Sequence, residues 1–136
     1  MVTSIVDIRR YDLPKDHPFT PGEYGNLTIK VREEQVDGTL PYATDFSSYT
    51  NWQFWVLKSG DLKLKTYAEM DAAKIFKCAS VGSDGITPAT APDIDVIMSV
   101  AKTSLIVVTQ SIWYEFWADY GGQPKRLAYG LMPWVN

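Results

Sequence analysis

The chain has 136 residues, 46% hydrophobic and 13% aromatic, with thirteen basic against sixteen acidic side chains and a formal net charge of −3. That length and apolar content exclude a disordered chain and fit one domain with a sizeable core, while the mild charge balance leaves no basic footprint for nucleic acid or a membrane surface. Cys78 is the lone cysteine, so no intrachain disulfide can form, and no apolar run exceeds four residues, as at Leu105 to Val108, which is too short for a signal peptide or a membrane span.

Residues 1 to 25 are punctuated by Pro14, Pro18, Pro21, Gly22 and Gly25. Each proline removes a backbone donor, so the segment reads as an extended N-terminal arm, with a short strand possible at Ser4 to Ile8. Such an arm is either a loose leader or a segment that orders on a neighbouring subunit; in the second case Phe19 and Tyr24 are its candidate contacts. Residues 26 to 136 form the β domain. Leu27, Ile29 and Val31 alternate with Thr28, Lys30 and Arg32, the period of a half-buried strand. Asp37-Gly38 marks a turn. In the next strand Trp52, Phe54 and Val56 share one face, and Gln53, Trp55 and Leu57 share the other.

Thr66 to Lys74, rich in Ala, Glu and Met, is the best helical stretch, about two turns long. Lys74 to Ser80 reads as a strand and Val81 to Pro92 as a long turn region. Ile94, Val96, Met98 and Val100 alternate on one face of the next strand. Lys102 to Ser111 is either a helical turn or a strand. Ser111 to Tyr120 is a strand ending at the Gly121-Gly122 hairpin, and Pro124 to Asn136 holds the last strand. Six or seven short strands with one short helix at most predict an all-β sandwich.

Several spaced features resemble small proteins of tailed-phage virions. Trp52, Phe54 and Val56 stand for an aromatic-x-Phe-x-Val strand; Ala72 to Ile75 for the turn after it; Ile94, Val96 and Met98, then Thr103 to Leu105, for a strand and turn. Trp113, Tyr114, Glu115 and Phe116 lead to Gly121-Gly122, Leu127 and Gly130, a Tyr-rich strand, a Gly-rich hairpin and a last strand with a central glycine. This pattern, over roughly residues 26 to 135, is similar to the immunoglobulin-like β-sandwich at the N-terminus of siphophage baseplate upper proteins. It departs at Thr109-Gln110-Ser111, where that family often has Pro-Gly. Those proteins continue past the last strand, whereas this sequence stops at Val135-Asn136, so the resemblance implies a standalone accessory subunit.

The resemblance places Ile112, Tyr114, Phe116 and Ala118 inside, which turns Trp113, Glu115 and Trp117 outward, with Trp55 outward on its own strand. Exposed tryptophans are either covered within the subunit by the arm or the helix, or mark an interface. The candidate partner-interface residues are therefore Trp55, Trp113, Glu115, Trp117, Phe19 and Tyr24.

Chemistry-bearing residues are sparse. His17, the sole histidine, sits among prolines, and Cys78 lies in an apolar strand. Glu115 and Asp119 would lie about 13 Å apart on one strand, beyond the ~5–9.5 Å of glycosidase carboxylate pairs. Asp93, Asp95 and Ser83-Asp84-Gly85 could supply oxygens to calcium but form no EF-hand loop. The expectation is a non-enzymatic virion protein, made in the host cytoplasm, with no catalytic residue, cofactor or metal. It would be homo-oligomeric in the particle and bind the major capsid protein as a head decoration (cement) protein, or bind neck, tail or baseplate components instead. A carbohydrate-binding module, stacking sugars on Trp55, Trp113 and Trp117, is the reading from a different class.

Overall fold

A computed structural model of the chain describes residues 10–33, 37–39, 41–58, 67–79, 85–88, 91–107 and 111–135. The elements in chain order are β1 (Gly25–Lys30), β2 (Tyr49–Lys58), α1 (Tyr67–Ala73), β3 (Phe76–Ala79), β4 (Ile86–Pro88), β5 (Asp93–Met98), α2 (Val100–Thr103), β6 (Ile112–Tyr120) and β7 (Gln123–Met132). They form two antiparallel sheets, β1-β5-β4 and β3-β2-β6-β7. Lettered B to G, the strands give B-E-D on one sheet and C′-C-F-G on the other. That is the immunoglobulin order, with no strand A beside β1 among the described residues, in keeping with the sandwich expectation.

The core lies between the sheets and follows the period-2 pattern. Trp52, Phe54 and Val56 of β2, Ile112, Tyr114, Phe116 and Ala118 of β6, and Ile94, Val96 and Met98 of β5 are all buried in it. Rings stack across the β2–β6 pairing, Phe54 on Tyr114 at 5.6 Å and Trp52 on Phe116 at 5.7 Å. Cys78 is buried among them as a small hydrophobe. At the β6–β7 hairpin, Gly121 and Gly122 have φ of 60° and 84°, the left-handed pair that a two-residue turn needs to match strand twist.

Two elements differ from the sequence reading. Val100 does not extend β5. Ser99 caps a helical turn there, its Oγ accepting the Lys102 N–H at 3.3 Å, and Val100 is left 53% exposed. The expected turn region contains β4, whose Ile86 is buried against the core. The strand expected at Ser4 to Ile8 and the Ser83-Asp84 pair lie outside the described residues.

The described part of the N-terminal arm docks on its own chain. It runs parallel to β7 and its continuation: the Tyr11 and Leu13 N–H groups donate to the Tyr129 and Leu131 carbonyls at 2.8 and 2.9 Å, and Phe19 pairs with Trp134. Leu13 enters the core, and the Phe19 ring sits 5.6 Å from Trp134. The Asp12 carboxylate accepts the outward Leu131 N–H at 2.9 Å, which holds it below the usual carboxylate range. Tyr114, from the core, donates its hydroxyl to the Tyr11 carbonyl at 2.5 Å; burial pushes its pKa well up, with the Asp12 charge adding to it. Closeness at this crossing depends on Gly130, because a Cβ there would overlap the Tyr11 carbonyl.

Gly130→Ala should therefore lift the arm off β7, costing about 1–3 kcal/mol. Thermal denaturation should show the loss, and amide exchange should accelerate at Tyr11 and Leu13. An unchanged melting temperature with unchanged exchange would contradict the docking.

Candidate functional site

The outer face of β3-β2-β6-β7 carries a second apolar cluster. Strand register builds it in rows. Gln53 lies opposite Trp117, which lies opposite Arg126; Trp55 lies opposite Glu115, which lies opposite Tyr129; Leu57 lies opposite Trp113, which lies opposite Leu131. A bulge on β2 between Thr50 and Gln53 lies at one end of the rows, and a bulge at Leu127 of β7, opposite Phe116 and Trp117, separates the Trp117 row from the Glu115 row. Asn51, in the β2 bulge, takes φ 54°, a conformation asparagine tolerates, and its amide donates to Asp119 at 3.3 Å.

Trp55 and Leu57 form the centre of the cluster, and Trp113 and Trp117 pack on it half-buried. Trp55 and Trp117 stack at 5.5 Å with 24° between their planes. The polar edges of the indoles are matched: Trp55 Nε1 donates to Gln53 at 2.9 Å, and Trp117 Nε1 donates to Glu115 at 2.8 Å. Trp113 Nε1 reaches the other Glu115 oxygen at 3.4 Å, and the Arg126 guanidinium donates to that oxygen at 3.1 Å. Arg126 also lies 4.2 Å over the Tyr129 ring, and Arg10 of the arm lies 5.0 Å over Trp113.

Glu115 is 1% exposed. Burial raises its pKa above the ordinary 4.5; Arg126 and the indole N–H groups pull the other way. Both its oxygens are engaged by donors, so its role is to hold the three surrounding side chains in one geometry. It is sealed away from any solute.

The register of this face is as the sequence reading expects, but its exposure is not. Trp55, at 0% exposure, and Glu115 are interior residues, because Trp117 stacks over Trp55 and the donor set closes around the carboxylate. Only Trp113 and Trp117 present surface, and Arg10 of the same chain covers part of Trp113. Phe19 and Tyr24 do not join them. They line a separate depression of about 420 Å³ with Leu13 and His17, where Phe19 is half-buried and Tyr24 is 61% exposed. Arg126, Tyr129 and Arg10 complete the aromatic face and escaped the sequence reading, which placed Gln53 on this face but not among the candidate contacts. Counting back from a two-residue turn at Gly121-Gly122 would have put Arg126 opposite Trp117 and one diagonal step from Glu115.

The remaining chemistry-bearing residues stay apart. His17 is exposed beside Asp16, Asp93 pairs with Lys30 at 2.8 Å, and Asp95 accepts from Thr28 at 2.9 Å. Among the described residues no three His, Cys, Asp or Glu side chains gather as metal ligands. No family model, curated protein or solved structure matches the chain.

The raised pKa of Glu115 makes a signed prediction. A carboxyl whose folded pKa lies above its unfolded value stabilises fully below the unfolded value, and that contribution is lost as pH rises through the folded value. From about pH 4.5 upward, Glu115→Gln should gain stability relative to the unaltered chain, since an amide loses no proton. Asp12, whose pKa is lowered, acts with the opposite sign and below its ordinary 3.8, outside that window. Denaturation curves of both proteins from pH 4.5 to 7 would check this; a constant stability difference would contradict it.

Proposed function

We propose that the chain is a non-enzymatic structural protein of a tailed-phage virion, attached to the particle through the aromatic face of its four-stranded sheet. A head decoration protein seated across joints between capsid subunits is the form we put forward. The observation carrying the binding role is the second apolar cluster. An antiparallel sheet in a sandwich ordinarily buries one face and solvates the other with polar residues. Here the outer face holds Trp55 and Leu57 fully buried, with Trp113 and Trp117 at its rim. Those rings are held by Glu115 and Arg126 before any partner arrives, which lowers the ordering cost of binding. Tryptophan and arginine are the residue types that dominate interface energetics. The virion assignment itself rests on the sequence resemblance.

Ring geometry favours a protein partner over a sugar. A sugar platform needs coplanar, solvent-open rings, whereas Trp117 stacks on top of Trp55 and closes it off.

Immunogold labelling of purified virions with antibody to this protein should place label over the head. Label at the neck or tail tip would move the proposal to an attachment protein there, and absence of label would overturn the virion role. Trp113→Lys should fold with a melting temperature near that of the unaltered chain, because the ring is only half-buried. It should bind the particle roughly 30-fold more weakly, a hot-spot loss of about 2 kcal/mol. Normal incorporation of this variant would remove the aromatic face from the proposal.

A further inference from the structure

The opposite edge of the fold carries a second surface. β1 is the outer strand of its sheet: β5 pairs with one edge, and among the described residues no strand pairs with the other. In the immunoglobulin order that neighbour would be strand A. Here the described part of the arm, from Arg10 onward, lies along β7 instead, and no described segment pairs beside β1.

Ladder parity identifies the backbone groups at that edge. Val31 N–H donates to the Pro92 carbonyl at 2.8 Å, continuing the β1–β5 register, so the hydrogen-bonded pairs fall at Ile29, Leu27 and Gly25. The Ile97 N–H, opposite Asn26, donates away from β1 to Gly85 at 2.7 Å, as the same parity requires. The N–H and C=O groups of Asn26, Thr28 and Lys30 therefore point out of the sheet, spaced as a pairing strand needs them.

Beside this edge, between β1 and the arm-covered β7, runs a cleft of about 540 Å³. Its apolar wall includes Leu27, Ile29 and Leu127, and Leu27 and Ile29 are only partly buried because they face it. Arg10, Lys30 and Arg32 also line it, with no carboxylate among the lining residues, in a chain whose net charge is −3. Arg10 and Lys30 are half exposed and, beyond their pairs with Asp12 and Asp93, have further N–H donors. Arg32 stacks 4.0 Å over Tyr42 at the same margin.

We infer that the β1 edge and this cleft form an acceptor for an extended acidic segment of another protein, added antiparallel to β1 where strand A would lie. Main-chain pairing to Asn26, Thr28 and Lys30 supplies affinity. Apolar side chains at alternate positions enter the cleft, and carboxylates between them meet the Arg10, Lys30 and Arg32 cations. The site shares only Arg10 with the aromatic face and stands whether or not the chain belongs to a virion.

The test uses the full chain and a blocked eight-residue peptide of alternating valine and glutamate, with a valine–lysine peptide as its counterpart. The glutamate peptide should bind at least about tenfold more tightly in fluorescence anisotropy, with the difference shrinking in high salt. It should also slow amide exchange at Asn26, Thr28 and Lys30. Thr28→Pro removes an outward donor at an edge position that tolerates proline and should weaken binding about tenfold. Lys30→Glu keeps all the backbone donors and should reverse the preference between the two peptides. No binding, equal binding of both peptides, or binding without protection of the three β1 amides would each overturn the proposal.

Discussion

A carboxylate removed from water costs several kcal/mol unless donors replace its hydration, and the outer face of the larger sheet is organised by how Glu115 meets that cost. Arg126 answers the charge, and the indole N–H groups of Trp113 and Trp117 answer the remaining lone pairs. Each of those partners is thereby fixed in orientation. Trp117 is held flat over Trp55, Arg126 over Tyr129, and the rim of the aromatic face becomes rigid. A leucine at position 115 could fill the same space but would leave two indole N–H groups without their acceptor.

Rigidity on that face is coupled to the core through β6, which like β2 carries large side chains on both sides. Its inward set, Ile112, Tyr114, Phe116 and Ala118, packs between the sheets, while its outward set builds the second cluster. Tyr114 carries the connection further, since its hydroxyl reaches through the core to the Tyr11 carbonyl and ties down the arm. The arm in turn places Arg10 over Trp113. Arm, core strand and aromatic rim therefore form one closed chain of contacts. Because the described arm takes the β7 edge, no described segment pairs with the outer edge of β1, and two surfaces of different character follow from one choice of docking site.

Much of the fold was legible from alternation. The two faces of β2 and β6, the inward Ile94, Val96 and Met98, the short helix near Ala68 to Ala73 and the hairpin at Gly121-Gly122 follow from side-chain period and turn chemistry, which are local properties. Val100 was misread because the apolar alternation continues one step past the strand, while the Ser99 cap that ends it acts through a single hydrogen bond. The outward register of Trp55, Trp113 and Trp117 was legible for the same reason as the core; their burial was not. Period tells which way a side chain points and says nothing of what lies there.

By itself the sequence determined the fold class, the strand pairing across the hairpin and the existence of a second apolar face, because each depends on neighbours within a few residues along the chain. Only the tertiary structure decided that Glu115 is enclosed by Arg126 and two indoles, that the described arm lies on its own β7, and that no described strand pairs with the outer edge of β1 beside a cationic cleft. Those outcomes join residues as far apart as Tyr11 and Tyr114, or Arg10 and Trp113, and no local pattern specifies contacts at that separation. They are set by which surfaces reach each other once the sheets have closed.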